Sequence, residues 1–94
     1  MINSKLKPFD MAEQLHTEED IVAYLSMVLE DGDTDELIAA LGHIAKARGM
    51  AEIARESGLG RESLYKALRL GARPQFDTIF KVIKALGLEL RIVK

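Results

Sequence analysis

A chain of 94 residues with 48% apolar content is expected to form one domain, with a single helical core and no enclosed catalytic cleft beside it. Aromatic residues make up 5% and tryptophan is absent, which leaves that core to Leu, Ile, Val and Ala; the lack of cysteine excludes disulfides and thiolate metal or redox sites. The net charge of −2 hides a division: residues 1–36 set Lys5 and Lys7 against ten acidic groups, a balance of −8, whereas residues 37–94 set eleven basic groups against five acidic ones, a balance of +6. With no apolar signal run at its start and no stretch long enough to span a bilayer, the chain is expected to be cytoplasmic, with no membrane partner.

Residues 1–16 show little periodicity, and Pro8 breaks any helix there, so this segment is read as an extended arm. An acidic N-terminal helix region follows over 17–36. Thr17 and Asp20 have the spacing of a capping box, and Ile21, Tyr24, Leu25, Val28 and Leu29 recur at helical intervals up to a stop near Gly32. Asp33-Thr34 can cap a second helix, whose buried stripe is Leu37, Ile38, Leu41, Ile44 and Ala45 and whose terminator is Gly49.

The centre of the 37–87 core is Met50 to Leu68, two short amphipathic segments hinged on Gly58. Helices that cross steeply must bring their backbones close and reverse within a few residues. Ala54 leaves room for that approach, Gly58 can take the left-handed conformation, and Ile53, Leu59, Leu64 and Leu68 supply the apolar faces. With Leu64, Ala67 and Leu68 inward, the second segment turns Glu62, Tyr65, Lys66 and Arg69 outward, flanked by Arg61 and Ser63. The pattern reads as a DNA-reading helix-turn-helix, although the same break occurs in helical bundles with no DNA role. The basic balance around it is the footprint expected for phosphate contact.

After Leu70-Gly71-Ala72-Arg73-Pro74, a last helix is expected from about Gln75, with Phe76, Ile79, Phe80, Ile83 and Leu86 on one face and Gly87 at its end. Residues 88–93 alternate apolar and charged side chains, the period of a half-buried strand, and 88–94 is expected as a short C-terminal β-strand. Such a strand needs a partner, either the N-terminal arm or another chain.

The segment Met50–Leu68, continued by Arg73-Pro74, Phe76, Thr78-Ile79, Lys81-Val82 and Lys84-Ala85-Leu86-Gly87, resembles the Cro/repressor (XRE) type of helix-turn-helix domain. More narrowly, Asp20-Ile21, Tyr24-Leu25, Leu41-Gly42, Ile44-Ala45, Ala47-Arg48-Gly49-Met50 and Arg61–Leu68 resemble the HigA-like antitoxins of addiction modules. The resemblance runs from about Phe9 to Val93. It implies an all-α, five-helix Cro/repressor-like domain, a homodimer, repression of its own operon through double-stranded operator DNA, and neutralisation of a small basic ribonuclease toxin of the RelE-like class. The groove-facing positions it implies are Gly60, Arg61, Glu62 and Ser63, with Tyr65 and Lys66 one turn later. Many relatives have a Gly-Asn-Pro turn where this chain has Ala72-Arg73-Pro74.

Chemically, Arg61 can offer a bidentate fork to guanine, while Glu62 can accept from cytosine, buttress a neighbouring Arg or simply stabilise the helix start. Ser63 and the N–H groups of the helix start suit phosphate, Tyr65 suits phosphate or a thymine methyl, and Lys66, Arg69 and Arg73 suit the backbone, a merely solvated face being the alternative for each. The acidic front either meets a basic toxin or keeps the protein soluble. No enzyme, metal or cofactor is expected: His16 and His43 lack ligand spacing, and Ser57 and Ser63 have no histidine in a recognisable arrangement. A stand-alone Cro-like regulator without a toxin, and a helical protein-interaction module without DNA binding, are the alternatives.

Overall fold

In the computed structural model, which describes residues 15–94, helix α1 (Glu18–Asp31) starts on the reciprocal cap expected at Thr17. The Asp20 N–H donates to the Thr17 hydroxyl at 3.0 Å, and the Asp20 carboxylate accepts from the N–H groups of Thr17 and His16 at 3.1 and 3.2 Å. Contacts to the Thr17 backbone N–H, then to its hydroxyl, hold the Asp20 carboxyl below the usual aspartate range. Residues 1–14 of the expected arm lie outside the described residues; Leu15, which follows them, is buried.

Helix α2 (Thr34–Arg48) is capped by the Asp33 carboxylate, which accepts from the N–H groups of Asp35 and Glu36 at 2.9 and 3.3 Å. A single residue, Gly49, separates α2 from α3 (Met50–Ser57). Gly58 then takes the left-handed conformation, φ 76°, and its N–H donates to the carbonyls of Ala54 and Arg55. Ser57 is used in the same turn: its hydroxyl donates to the Ala54 carbonyl and accepts from the Leu59 N–H. Three residues after Ser57 the chain is ready to start α4 (Arg61–Leu68), and α5 (Phe76–Ala85) follows.

Helix α2 is the platform of the fold, packing against α1, α3 and α4, while α3 also packs on α5. The largest fully buried side chains come from four helices and the residue after α5: Leu41 and Ile44, Ile53, Leu64, Val82 and Leu86. Burial of each such side chain is worth about 1.5–3 kcal/mol. Gly42 sets how close α2 and α4 come: a Cβ there would stand 3.2 Å from the Leu68 carbonyl oxygen and 3.9 Å from the Leu68 Cβ. Glycine inside a helix costs about 0.5–1 kcal/mol relative to alanine; here it leaves room for the backbone of α4.

The stripes expected for α1 and α5 shift at their edges. Leu29 is 44% exposed, and Phe76 and Phe80, expected on the buried face, are 67% and 41% exposed and stack on one another with centroids 5.9 Å apart. Val82, with no accessible surface, joins Ile79, Ile83 and Leu86 on the buried face instead. These four fall at i, i+3, i+4 and i+7, one helical stripe, with the rings of Phe76 and Phe80 displaced to its border. The expected strand at 88–93 is not formed. A strand needs a neighbour for its N–H and C=O groups, and among the described residues there is no strand at all. Its beginning is held by the Leu88 N–H donating to the Ile83 carbonyl, while Ile92 is fully exposed. Among the described residues no helix is long and apolar enough to cross a membrane.

Two outcomes are expected. Gly42→Val destabilises the fold by about 1–3 kcal/mol in urea unfolding, whereas Ala47→Val on the exposed side of the same helix stays below about 0.7 kcal/mol. The depressed Asp20 pKa stabilises the fold above the ordinary aspartate pKa and ceases to do so as pH falls through the lowered value. The stability difference between wild type and Asp20→Asn, measured in urea at stepped pH, is therefore widest near neutrality and shrinks in acid.

Candidate nucleic-acid interface

Helix α4 presents two faces because its apolar residues are spaced for one: Leu64 and Leu68 are buried and Ala67 half-buried, while Arg61, Glu62, Ser63, Tyr65 and Lys66 are exposed. Its start is bare. Gly60, the residue before the first turn, has no side chain to cap it, so the N–H groups that open α4 point outward beside Arg61, Glu62 and Ser63. The Gln75 side chain likewise makes no cap bond at the start of α5.

Four of the eight sequence-predicted residues come together. Ser63, Lys66, Arg69 and Arg73 line one open groove of about 620 Å³ between α4 and the 69–74 segment, with Leu59, Pro74 and Thr78 also in its wall. It therefore joins three cationic side chains and two hydroxyls to the first turn of α5, a chemistry suited to phosphate oxygens. Arg61 and Tyr65 are held together one turn apart, with the guanidinium 5.9 Å from the ring centroid. This contact stiffens an arginine otherwise free in solvent. Tyr65 also borders a second groove, of about 580 Å³, with Arg69 and the α2 residues Gly42, His43 and Lys46. Gly60 and Glu62 lie at the open end of α4, both exposed.

The structure adds Asp35, a residue that spacing did not single out. Arg73 is paired with the Asp35 carboxylate in the first turn of α2 and also donates to the Ala72 carbonyl at 3.1 Å. Asp35 lies 38 positions earlier in the chain, too far for any local signal. Both partners are more than half exposed, and a pair of this kind is worth about 0–1 kcal/mol, so a phosphate could replace the carboxylate. Thr78 was equally hidden, since its place in the groove depends on how the 69–75 segment turns. Among the described residues no group of His, Cys, Asp or Glu is arranged to hold a metal ion.

Asp35→Asn is expected to elute from a heparin column at higher salt than wild type, because Arg73 loses its internal anion. Glu19→Gln removes the same charge from the exposed side of α1 and is expected to shift elution less; equal shifts would mean that the Asp35 pairing does not restrain Arg73.

Over residues 5–94 the chain matches a sequence family described as "Probable addiction module antidote protein". It is 45% identical over 91 residues to an uncharacterized protein of Haemophilus influenzae, an alignment that covers 97% of this chain and 94% of that relative. No solved structure matches the chain.

Proposed function

The chain belongs to the family of probable addiction module antidote proteins, and on that premise we propose that it is the antitoxin of a toxin–antitoxin module. In this reading it neutralises a RelE-like ribonuclease toxin and, as a HigA-like helix-turn-helix protein of the Cro/repressor (XRE) type, represses its own operon in the cytoplasm. One observation carries the DNA-binding part: Ser63, Lys66, Arg69 and Arg73 converge on one groove beside a helix whose N-terminus is uncapped.

The mechanism follows from the chemistry of those groups. α4 enters the major groove by its N-terminal end, where Arg61, steadied by Tyr65, reads guanine through two parallel hydrogen bonds. Glu62 accepts from a cytosine amino group or orients Arg61. Lys66, Arg69 and Arg73 with the Ser63 hydroxyl hold the phosphate backbone along their shared groove, and Arg73 exchanges Asp35 for DNA. One short helix reads few bases, so two copies on a palindrome are needed, with half-sites about one helical turn apart. The exposed apolar residues of α5 and the tail, Phe76, Phe80, Leu90, Ile92 and Val93, are the proposed dimer surface. Nothing in this scheme calls for catalysis or a cofactor.

In gel-shift titrations with the DNA upstream of its own gene, Arg61→Ala is expected to lose about 1–3 kcal/mol of specific binding and to relax one base position. Lys66→Ala is expected to weaken binding to all sequences alike and to lower the salt slope by about 1. A wild-type chain that shifts no fragment of that region, or an Arg61→Ala variant with unchanged affinity and specificity, contradicts the proposed readout.

A further inference from the structure

Helix α1 buries Ile21, Leu25 and Val28 and turns a different stripe to solvent. Glu19, Val22, Ala23, Ser26, Met27 and Glu30 are all exposed and recur at three- and four-residue steps, so they form one continuous outward face. Its middle is apolar, with Val22 47% and Met27 61% exposed, and its ends are acidic. No lysine or arginine occurs anywhere in α1.

The C-terminal end of α1 is the unusual part. Glu30 and Asp31 sit in its last turn, where the helix dipole already places negative charge and where a cation is the stabilising choice. Asp33 and Glu36 follow at the start of α2, and a hydrogen bond with Asp31, ahead of burial and of the charges of Asp31 and Asp33, pushes the Glu36 carboxyl above its usual range. Negative charge is thus concentrated there at a cost to the free protein. Between these groups lies a cleft of about 370 Å³, lined by Met27 and Val28 with Glu30, Asp31 and Glu36. It offers an apolar surface for an aliphatic stem and three carboxylates for a cationic head, the two demands of a Lys or Arg side chain. A divalent ion is the wrong occupant, since among the described residues no such group is arranged to hold one. DNA would be repelled, and so would the same acidic face of a second copy.

We propose that the outward face of α1 and the cleft at its C-terminal end form the docking surface for a basic protein partner. Met27 is its apolar centre, and Glu30, Asp31 and Glu36 receive a Lys or Arg side chain. This rests on the antitoxin reading, in which that partner is the toxin. α1 packs chiefly on α2, which leaves the exposed side of α4 to DNA while the partner is bound.

The test uses the full chain and the protein encoded by the adjacent gene, with growth rescue on co-expression and calorimetric titration of the purified pair as readouts. Wild type is expected to rescue growth and bind. Met27→Arg and Glu30→Lys are expected to lose about tenfold or more in affinity while keeping wild-type circular dichroism and melting temperature. Glu52→Lys, with the same charge change on the exposed side of α3, is expected to bind as wild type does. Folded Met27→Arg and Glu30→Lys chains that bind with wild-type affinity overturn the surface and leave the antitoxin reading standing. A wild-type chain that neither binds nor rescues overturns both. A Met27→Arg chain that turns from dimer to monomer in light scattering makes a second copy the occupant and overturns the surface as stated.

Discussion

The close approach of α2 to the last turn of α4, with Gly42 facing the Leu68 backbone, is the contact on which the other arrangements depend. It draws α4 onto the platform helix so that Leu64 and Leu68 are buried beside Leu41 and Ile44. Once those positions are fixed inward, the 3.6-residue period leaves Arg61, Glu62, Ser63, Tyr65 and Lys66 outward. A larger residue at 42 would push α4 away and with it the groove that joins Lys66 to Arg73. The geometry of the exposed face is therefore set from beneath, by one missing side chain.

Charge is distributed on the same platform. α2 packs against the acid-rich α1 and also against the α3–α4 pair, whose exposed residues include Arg61 and Lys66. Among the described residues, exposed ion pairs between the acidic front and the basic remainder include Glu18 with Arg48 at 3.7 Å and Asp35 with Arg73. Exposed pairs of this kind contribute little to stability and are screened by salt. Their interest is that Arg73 belongs at once to the groove beside α4 and to the acidic edge of α2. On the proposed function, a DNA phosphate competes with the Asp35 carboxylate for that guanidinium.

Local signals were legible in the sequence and distant ones were not. The Thr17–Asp20 box, the Asp33 cap and the left-handed turn at Gly58 depend on residues within a few positions of each other, and all three stand where the sequence places them. The inward set of α4 was legible for the same reason. Phe76 and Phe80 were misplaced because hydropathy counts an aromatic ring as core even when it can rest on its neighbour at the border of a stripe. The tail at 88–94 has the alternation of a strand, but alternation supplies only the side chains, and pairing must come from elsewhere. Of the candidate site, the exposed residues of α4 could be named in advance. The groove that gathers four of the eight, and the Asp35 contact that restrains one of them, depend on the path of residues 69–75 across the fold.

The central claim is a division of labour, with the exposed side of α4 serving DNA and the acidic α1 serving a protein. Amide chemical-shift mapping of the isotopically labelled chain, titrated first with DNA from upstream of its gene and then with the neighbouring gene product, tests it most directly. The account predicts that DNA moves the signals of residues 60–73 and leaves those of α1 in place, and that the second partner then moves α1 with the DNA still bound. DNA-induced shifts concentrated on α1, or none on α4, would contradict it.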